Sequence, residues 1–211
     1  MSTARRSSQK MRLYSSPTSP YSRKVRVALI EQGQADAVEE IMTDPFSPLP
    51  EFLAANPLSR IPTLVTDRGE ALPDSNLILD YLQTRSGGLA SLPRGSRRWA
   101  ALRLQRIADG VIDAAVDTVR ERRRPEGIVY TPFLDRQVEV ILRSLDLLEL
   151  EVEHLRLDTP SVVDITVAVA LSYLDFRAPY IDWRKRFDAL NQWHNAFRGR
   201  RSMLDTEPPG S

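Results

Sequence analysis

Hydroxyl-bearing residues cluster near the start of the chain, where a short apolar segment gives way to a helical pattern. Ser19 precedes Pro20, and apolar residues at 25 and 27–30 follow. A serine before such a pattern, with proline at the first helical position, predicts a helix N-cap. Backbone N–H groups are unpaired there and the helix dipole is positive, so the position favours an anion, either oxygen or sulfur.

The chain has no cysteine, which excludes disulfides, thiolate metal sites and a cysteine nucleophile of its own. Its two histidines, His154 and His194, lie in the second half and have no metal-type partner at helical spacing. A serine nucleophile needs a general base, and neither histidine is near Ser19 in sequence. We therefore expect no metal site and no serine–histidine hydrolysis, and packing or surface roles for both histidines.

Two further stretches have the residue types of a binding site. The β-branched run at 61–65 predicts a strand, but Pro62 stands near its start, where a cis bond after Ile61 would turn the chain sharply. Asp74 and Ser75 precede apolar residues at helical spacing, which is an N-cap signature. Each pattern by itself also fits a purely structural role.

Charge and hydropathy narrow the choice of partners. The 211 residues include 29 basic and 28 acidic side chains, so no overall field points to nucleic acid or membrane. No apolar run reaches the roughly 18 residues of a membrane span. Residues 1–10 are rich in Arg and Ser without an apolar core, which predicts a disordered extension rather than a secretory signal.

The order of predicted elements indicates an α+β protein of two domains. The first, over 11–86, has strands at 11–15, 37–42, 61–65 and 71–72, with helices at about 20–32, at 51–55 and after Asp74. This pattern matches a thioredoxin-type domain. A Gly- and Pro-containing linker spans 87–95. The second domain, over 96–205, is all helical, with helices at 99–124, 132–157, 165–174 and 187–197.

Four motifs, in order and at matching spacing, resemble the soluble glutathione transferase family from residue 11 to the end. SPYS at 19–22 falls where many transferases have a single Ser or Cys. NPLSRIPTL at 56–64 resembles the family's NP-x-G-K-V-P-x-L segment with its cis-proline, and DSNLILDYL at 74–82 resembles E-S-x-A-I-x-x-Y-L. SVVD at 161–164 resembles the capping box before the buried helix of the second domain. The patterns at 108–114, 121–125 and 207–209 are most similar to small bacterial members.

The resemblance implies a cytoplasmic, homodimeric glutathione transferase of the detoxification type, with glutathione as co-substrate. Ser19 would stabilise the glutathione thiolate, with Ser15, Ser16 and Thr18 as nearby rivals. Ile61, before Pro62, would pair with the cysteinyl part. Asp74 and Ser75 would hold the γ-glutamyl group, and Arg60 the glycyl carboxylate. The electrophilic acceptor is expected between the domains, with these candidate contacts: Ser16, Thr18, Trp99, Arg103 and Arg106.

Two alternatives stay open. The same fold serves non-catalytic binding or regulatory proteins, because a fold does not fix a function. A glutathione-dependent isomerase or dehalogenase would share the thiol site and differ only in its acceptor. The sequence leaves the acceptor unidentified.

The chain departs from the family's motifs at three positions. Asp74 stands where Glu is commoner, Ser59 where Gly is common and Arg60 where Lys is common.

Overall fold

The computed structural model describes residues 10–85 and 87–210, which form two compact units divided between Gly87 and Gly88. The first contains β1 (Met11–Ser15), α1 (Pro20–Glu31), β2 (Val38–Met42), α2 (Pro50–Ala55), β3 (Thr63–Val65), β4 (Ala71–Pro73) and α3 (Ser75–Gln83). The second contains α4 (Ser96–Arg122), α5 (Thr131–Leu150), α6 (Val162–Arg177), α7 (Trp183–Arg186), α8 (Asp188–Arg198) and α9 (Arg201–Leu204). The predicted α+β fold is confirmed. The disordered extension predicted over 1–10 lies, except for Lys10, outside the described residues.

The sheet of the first unit has the order β2-β1-β3-β4. β1 is parallel to β2 and antiparallel to β3, and β3 is antiparallel to β4. The parallel pair is joined through α1, because parallel strands need a crossover connection. The antiparallel pair β3 and β4 is joined by the turn at Gly69, whose φ of 85° is in the left-handed region that glycine tolerates.

Alternation along the strands divides the core of this unit between the two faces of the sheet. Leu13 and Leu64 are register partners and are 1% and 0% exposed. Successive side chains point to opposite faces, so Tyr14 and Val65 lie on the other face, in a cluster with Phe52 of α2. The rings of Tyr14 and Phe52 have centroids 5.2 Å apart.

The second unit is built around α6. All of its residues from Val162 to Leu171 are buried, as its apolar sequence predicts. The predicted capping box is confirmed: the Ser161 hydroxyl accepts the Val163 N–H, and the Asp164 carboxylate accepts the Ser161 N–H at 2.7 Å. Burial raises the pKa of the Asp164 carboxyl, although its hydrogen bonds act in the opposite direction.

Two of the predicted boundaries that differ from the structure illustrate the reasons, and two short helices were not predicted. β3 begins at Thr63 instead of residue 61, since Pro62 has no N–H for the ladder. α5 ends at Leu150 instead of residue 157, and the chain beyond it is held by a 2.8 Å hydrogen bond from the Arg156 N–H to Asp164. The helices α7 and α9 have four residues each, too short to produce a helical period in the sequence.

Candidate functional site

Ser19 is the N-cap of α1. Its backbone is extended, with φ −81° and ψ 122°, and its hydroxyl oxygen accepts the Ser22 N–H at 3.2 Å. Its own N–H donates to the Ser16 carbonyl at 3.1 Å. A hydroxyl has one proton and two lone pairs, and within the described residues the Ser19 proton has no acceptor. Ser19 can therefore cap the helix and still donate a hydrogen bond to a ligand.

The neighbouring hydroxyl groups differ in how far they are already engaged. Ser15 is fully buried and donates to the Glu40 carboxylate. Ser22 is fully buried, and its oxygen faces the Ser16 N–H at 3.4 Å. The hydroxyls of Ser16 and Thr18 lie 3.4 Å from each other, in half-buried positions. Besides Ser19, these last two are the hydroxyls with capacity left for a ligand.

The loop before β3 presents unpaired backbone groups at Ile61. The Ile61–Pro62 bond is cis, as predicted. The Ile61 side chain packs against the cluster of Tyr14, Phe52 and Val65. Its backbone N–H and C=O have no hydrogen-bond partner in the part of the chain that the structure describes. An extended peptide can pair with such groups as an added strand does.

Asn56 organises this loop, and the sequence analysis missed that role. It is 0% exposed, and its amide nitrogen donates at 2.9 Å both to the Arg60 carbonyl and to the Thr63 hydroxyl. Its amide oxygen accepts the Leu58 N–H at 3.0 Å. The sequence signal for the role of Asn56 was its position just before Pro57, which indicates a helix end equally well.

The guanidinium of Arg60 has no ion-pair partner among the described residues.

Ser59 adopts φ 50°, the left-handed conformation that glycine reaches without steric cost. This explains why glycine is common at this position of the motif. The Ser59 hydroxyl donates to the Pro45 carbonyl at 3.0 Å. The serine therefore holds two loops together, while its backbone has the conformation that a glycine would adopt.

Asp74 caps α3 from a strained backbone conformation. Its φ of 76° with ψ 132° is rare for a residue with a side chain and costs about 1–3 kcal/mol. One carboxylate oxygen, Oδ1, accepts the Asn76 N–H at 2.8 Å and the Leu77 N–H at 3.3 Å. The second oxygen has no partner in the described chain, and the side chain is exposed. Strain of this kind concentrates at ligand sites.

The first turn of α3 leaves one N–H open. Asp74 satisfies the two N–H groups that follow Ser75, and the Ile78 N–H bonds to the Asp74 carbonyl at 3.1 Å. Ser75 itself is 2% exposed, and its N–H and hydroxyl make no hydrogen bond within the described residues. Two adjacent donors at a helix N-terminus suit a carboxylate.

Lys24 adds a positive charge beside this turn. Its side chain is 0% exposed, and its Nζ lies 3.3 Å from the amide oxygen of Asn76. The contact joins α1 to α3, two helices that pack together. A cation beside a helix N-terminus further favours an anion there. The sequence signal was a lysine between Arg23 and the apolar residues of α1, and the sequence analysis did not single it out.

The strand register brings these elements to one edge of the sheet. Thr63 pairs with Tyr14 on one side and with Pro73 on the other. In antiparallel pairs, the residues before one strand lie beside those after its neighbour. The loop at 61–62 is therefore flanked by the segment leading to Ser19 and by the segment at 74–75. The N-termini of α1 and α3 both begin at this edge.

The candidate acceptor contacts of the second unit lie on α4. Trp99, Arg103 and Arg106 are spaced to share one helix face. Trp99 is 72% exposed. The Arg103 guanidinium contacts the Glu151 carboxylate, and that of Arg106 lies 3.3 Å from Asp109.

A serine–histidine pair does occur in the second unit, between Ser172 and His194. Nε2 of the histidine lies 2.9 Å from the Ser172 oxygen, and Nδ1 lies 2.9 Å from Arg184. Arginine only donates, so Nδ1 accepts and the ring proton is on Nε2. Burial, followed by the Arg184 charge, lowers the pKa of His194 to about 4. With no lone pair facing Ser172, this histidine cannot act as its general base, and the pair is a packing element.

The described residues contain no group of three or more His, Cys, Asp or Glu side chains placed to hold a metal ion. Across residues 10–85 and 87–210, no helix has both the length and the apolar character needed to cross a membrane.

Comparison with known proteins identifies relatives over nearly the whole chain. Residues 13–90 match the family "Glutathione S-transferase, N-terminal domain", and residues 105–196 match "Glutathione S-transferase, C-terminal domain". An uncharacterised GST-like protein of Escherichia coli, YibF, is 35% identical over 94% of this chain and 99% of its own.

Two similar crystal structures come from one transferase family member of Pseudomonas fluorescens Pf-5. One, with bound glutathione, is 40% identical with a TM-score of 0.86 and covers 95% of this chain and 100% of its own. The other, with bound S-(propanoic acid)-glutathione, is 39% identical with a TM-score of 0.84. It covers 96% of this chain and 99% of its own.

Proposed function

The chain belongs to the glutathione S-transferase family, and from that premise we propose that it transfers glutathione to a small electrophile. The thiol of glutathione loses its proton to solvent, and the Ser19 hydroxyl stabilises the resulting thiolate by donating a hydrogen bond to the sulfur. The thiolate then attacks the electrophilic carbon, and the new C–S bond forms as the bond to a leaving group, or the π bond of an activated alkene, breaks. The observation that carries this proposal is the shared sheet edge, where Ser19, the loop at Ile61 and the strained Asp74 meet. A purely structural sheet edge needs none of these open donors and acceptors.

The energy required for thiolate formation is within reach of these groups. A free thiol has a pKa of about 8.5, so only a few per cent ionises at neutral pH. Lowering that pKa by one unit requires about 1.4 kcal/mol of preferential anion stabilisation. A hydrogen bond to a charged acceptor contributes about 1.5–3 kcal/mol. A helix N-terminus adds about 0.3–1 kcal/mol. The Ser19 hydroxyl and the N-terminus of α1 together are sufficient for a shift of one to two units.

The rest of glutathione would be held by groups of matching charge. The open N–H and C=O of Ile61 pair with the cysteinyl backbone, as in strand addition. The free oxygen of Asp74 accepts from the γ-glutamyl ammonium, and the Ser75 N–H and hydroxyl hold its carboxylate. The unpaired guanidinium of Arg60 takes the glycyl carboxylate. The Pseudomonas relative with bound glutathione supports glutathione as the ligand.

The acceptor is a small electrophile that becomes bonded to sulfur. The relative that holds S-(propanoic acid)-glutathione supports a family site with room for a substituent on the sulfur. Ser16 and Thr18 remain candidate contacts of the first unit, and Trp99, Arg103 and Arg106 of the second. A homodimer and a cytoplasmic location complete the proposal, as expected from the family.

Isothermal titration of the protein with glutathione tests the binding half of the proposal. Saturable binding is expected, together with much weaker binding of cysteinylglycine, which lacks the γ-glutamyl group that Asp74 and Ser75 would hold. Turnover of a generic aromatic electrophile then tests the chemical half. Absence of binding at millimolar glutathione would contradict the enzyme and favour a non-catalytic binding protein of the same fold. Binding without conjugation would favour the isomerase or dehalogenase alternative.

A further inference from the structure

The segment between β2 and β3 concentrates exposed apolar side chains on the first unit. Within residues 42–58, five large apolar side chains are at least 40% exposed: Met42, Phe46, Leu49, Leu53 and Leu58. The other exposed large apolar side chains of the described residues are spread over residues 77–204. Single exposed apolar residues are ordinary on protein surfaces, whereas a group of them in one place marks an interaction site. We call these five side chains the 42–58 patch.

The loops that carry Phe46 and Leu58 are tied together. The Ser59 hydroxyl donates to the Pro45 carbonyl at 3.0 Å, which brings the two loops side by side. Residues 45–50 include three prolines, and each proline fixes its own φ angle. A surface segment with few free dihedral angles loses little conformational entropy when a partner binds. This part of the patch is therefore already ordered for binding.

Helix α2 turns two leucines of the patch toward solvent. Its residue Phe52 is 1% exposed and packs with Tyr14 and Val65, which fixes the buried side of the helix. Leu49 and Leu53 are four positions apart, so they are neighbours on another side, where they are 59% and 40% exposed. Because the buried side already holds α2 on the sheet, folding does not require these two leucines.

The charges in this segment are all negative. No lysine, arginine or histidine occurs between Arg26 and Arg60, while the same stretch contains six acids: Glu31, Asp36, Glu39, Glu40, Asp44 and Glu51. Asp44 and Glu51 stand among the apolar residues of the patch, are exposed, and form no ion pair within the described residues. Since the chain as a whole has a net charge of +1, negative charge is concentrated at this place.

The combination of apolar and acidic side chains selects the class of partner. Nucleic acid and the cytoplasmic face of a membrane are both negatively charged, so the acids of the patch repel them. A twofold contact of the patch with its own copy would bring like charges together. A protein helix with one apolar and one basic face fits instead, because its apolar groups cover the patch while its basic groups pair with the carboxylates.

We propose that the 42–58 patch is the docking surface for a basic amphipathic helix of another protein. The exposed apolar side chains bind the apolar face of that helix, and Asp44 and Glu51 pair with its basic residues. This protein-binding role is separate from glutathione transfer, because it uses none of the residues assigned to glutathione.

Fluorescence anisotropy of two labelled peptides with the full-length protein tests this surface. Each peptide is a helix of about 18 residues with leucine on one face, and the polar face carries lysine in one peptide and glutamate in the other. We expect saturable binding of the lysine peptide with a Kd below about 100 µM at about 0.1 M salt. Binding of the glutamate peptide should be weaker by about tenfold or more.

Substitutions separate the apolar contribution from the charge. Phe46→Ser should weaken binding of the lysine peptide by about tenfold, because a large aromatic ring is the strongest anchor that the patch offers. Glu51→Gln should weaken it by about threefold and make it less sensitive to salt. Leu150→Ser, at an 82% exposed position of α5, and Asp135→Asn, at an exposed position of the same helix, are the matched controls and should leave binding unchanged. Circular dichroism melting establishes that each variant is folded.

Several results would overturn the proposal. Absence of saturation up to about 1 mM lysine peptide is one of them. Equal affinity for the two peptides, equal weakening by the controls, or unchanged binding in both Phe46→Ser and Glu51→Gln would place the peptide elsewhere or show a general charge effect. Light scattering that finds a dimer in wild type and a monomer in Phe46→Ser would show that a second copy covers the patch. Co-sedimentation with phosphatidylserine vesicles that Phe46→Ser abolishes would assign the patch to a membrane surface.

Discussion

The hydroxyl oxygen of Ser19 lies 3.2 Å from the backbone nitrogen of Ser22 and accepts its N–H. The serine therefore caps α1 with a lone pair and leaves its proton for another acceptor. The structural role and the proposed catalytic role use different parts of one hydroxyl group, so substitutions can separate them.

Replacing Ser19 by glycine should remove the thiolate donor and keep most of the cap, since glycine at an N-cap costs only a few tenths of a kcal/mol against about 1 kcal/mol for alanine. We expect Ser19→Gly to lower kcat/KM for conjugation at pH 7 by about tenfold or more. The pKa of bound glutathione, followed by thiolate absorbance, should rise toward that of the free thiol. Ser16→Ala and Thr18→Val are the controls. If one of these two substitutions lowers turnover and Ser19→Gly does not, the thiolate donor is the hydroxyl that this substitution removed.

Asp74→Asn should separate charge from capping, because the amide oxygen still accepts the N–H groups of Asn76 and Leu77. The lost charge faces the proposed γ-glutamyl ammonium, and a charge-assisted hydrogen bond contributes about 1.5–3 kcal/mol. We expect glutathione affinity to fall by about tenfold or more, with little change in urea unfolding. Equal glutathione affinity in wild type and variant would remove Asp74 from the site.

Asn56→Ala should destabilise the first unit, because it leaves the Leu58 N–H without its partner and removes one of the two hydrogen bonds to the Arg60 carbonyl, which also accepts from the Thr63 hydroxyl. Loss of buried hydrogen bonds of this kind costs about 1–3 kcal/mol each. We expect a lower urea midpoint and weaker glutathione binding through the displaced Ile61. Gln192→Ala, at an exposed position of α8, is the control for stability. A midpoint equal to that of wild type would show that the loop keeps its shape without Asn56.

Stability should fall as the pH falls from about 6.5 to 4 because of His194, whose pKa is lowered to about 4 in the folded protein. In this window the unfolded chain binds a proton at this histidine and the folded chain does not, so acid favours unfolding. Across this window the free energy of unfolding falls by about 3 kcal/mol because of this histidine. The Asp164 carboxyl, whose pKa is raised, has the opposite effect on stability, because its protonation at low pH favours the folded protein.

Denaturant unfolding of wild type and His194→Asn across that pH range isolates the histidine. The asparagine oxygen can still accept from Arg184, and the variant should lose most of the acid sensitivity. His154→Gln is the control, because His154 is exposed and should leave the pH profile unchanged. A profile for His194→Asn that runs parallel to wild type would assign the acid sensitivity to other groups.

The sequence by itself determined the features that depend on residues a few positions apart. The cis bond before Pro62 was implied by the family motif, whereas the cap at Ser19, the cap at Asp74 and the capping box at Ser161 follow from local chemistry and local steric preference. The same holds for the order of strands and helices, since hydrophobic periods of two and 3.6 are read directly from neighbouring residues. The family resemblance rested on these same motifs.

Only the tertiary structure decided which distant residues meet. Lys24 reaches Asn76 because α1 packs on α3, and His194 has its tautomer fixed because Arg184 lies beside it. The Arg122 guanidinium lies 4.4 Å from the centroid of the Tyr180 ring because the C-terminal ends of α4 and α6 meet. Each of these contacts depends on packing between elements, and packing is set by the combined shape and register of the core. No local pattern encodes it, so buried charges and unpaired donors became visible only in the folded chain.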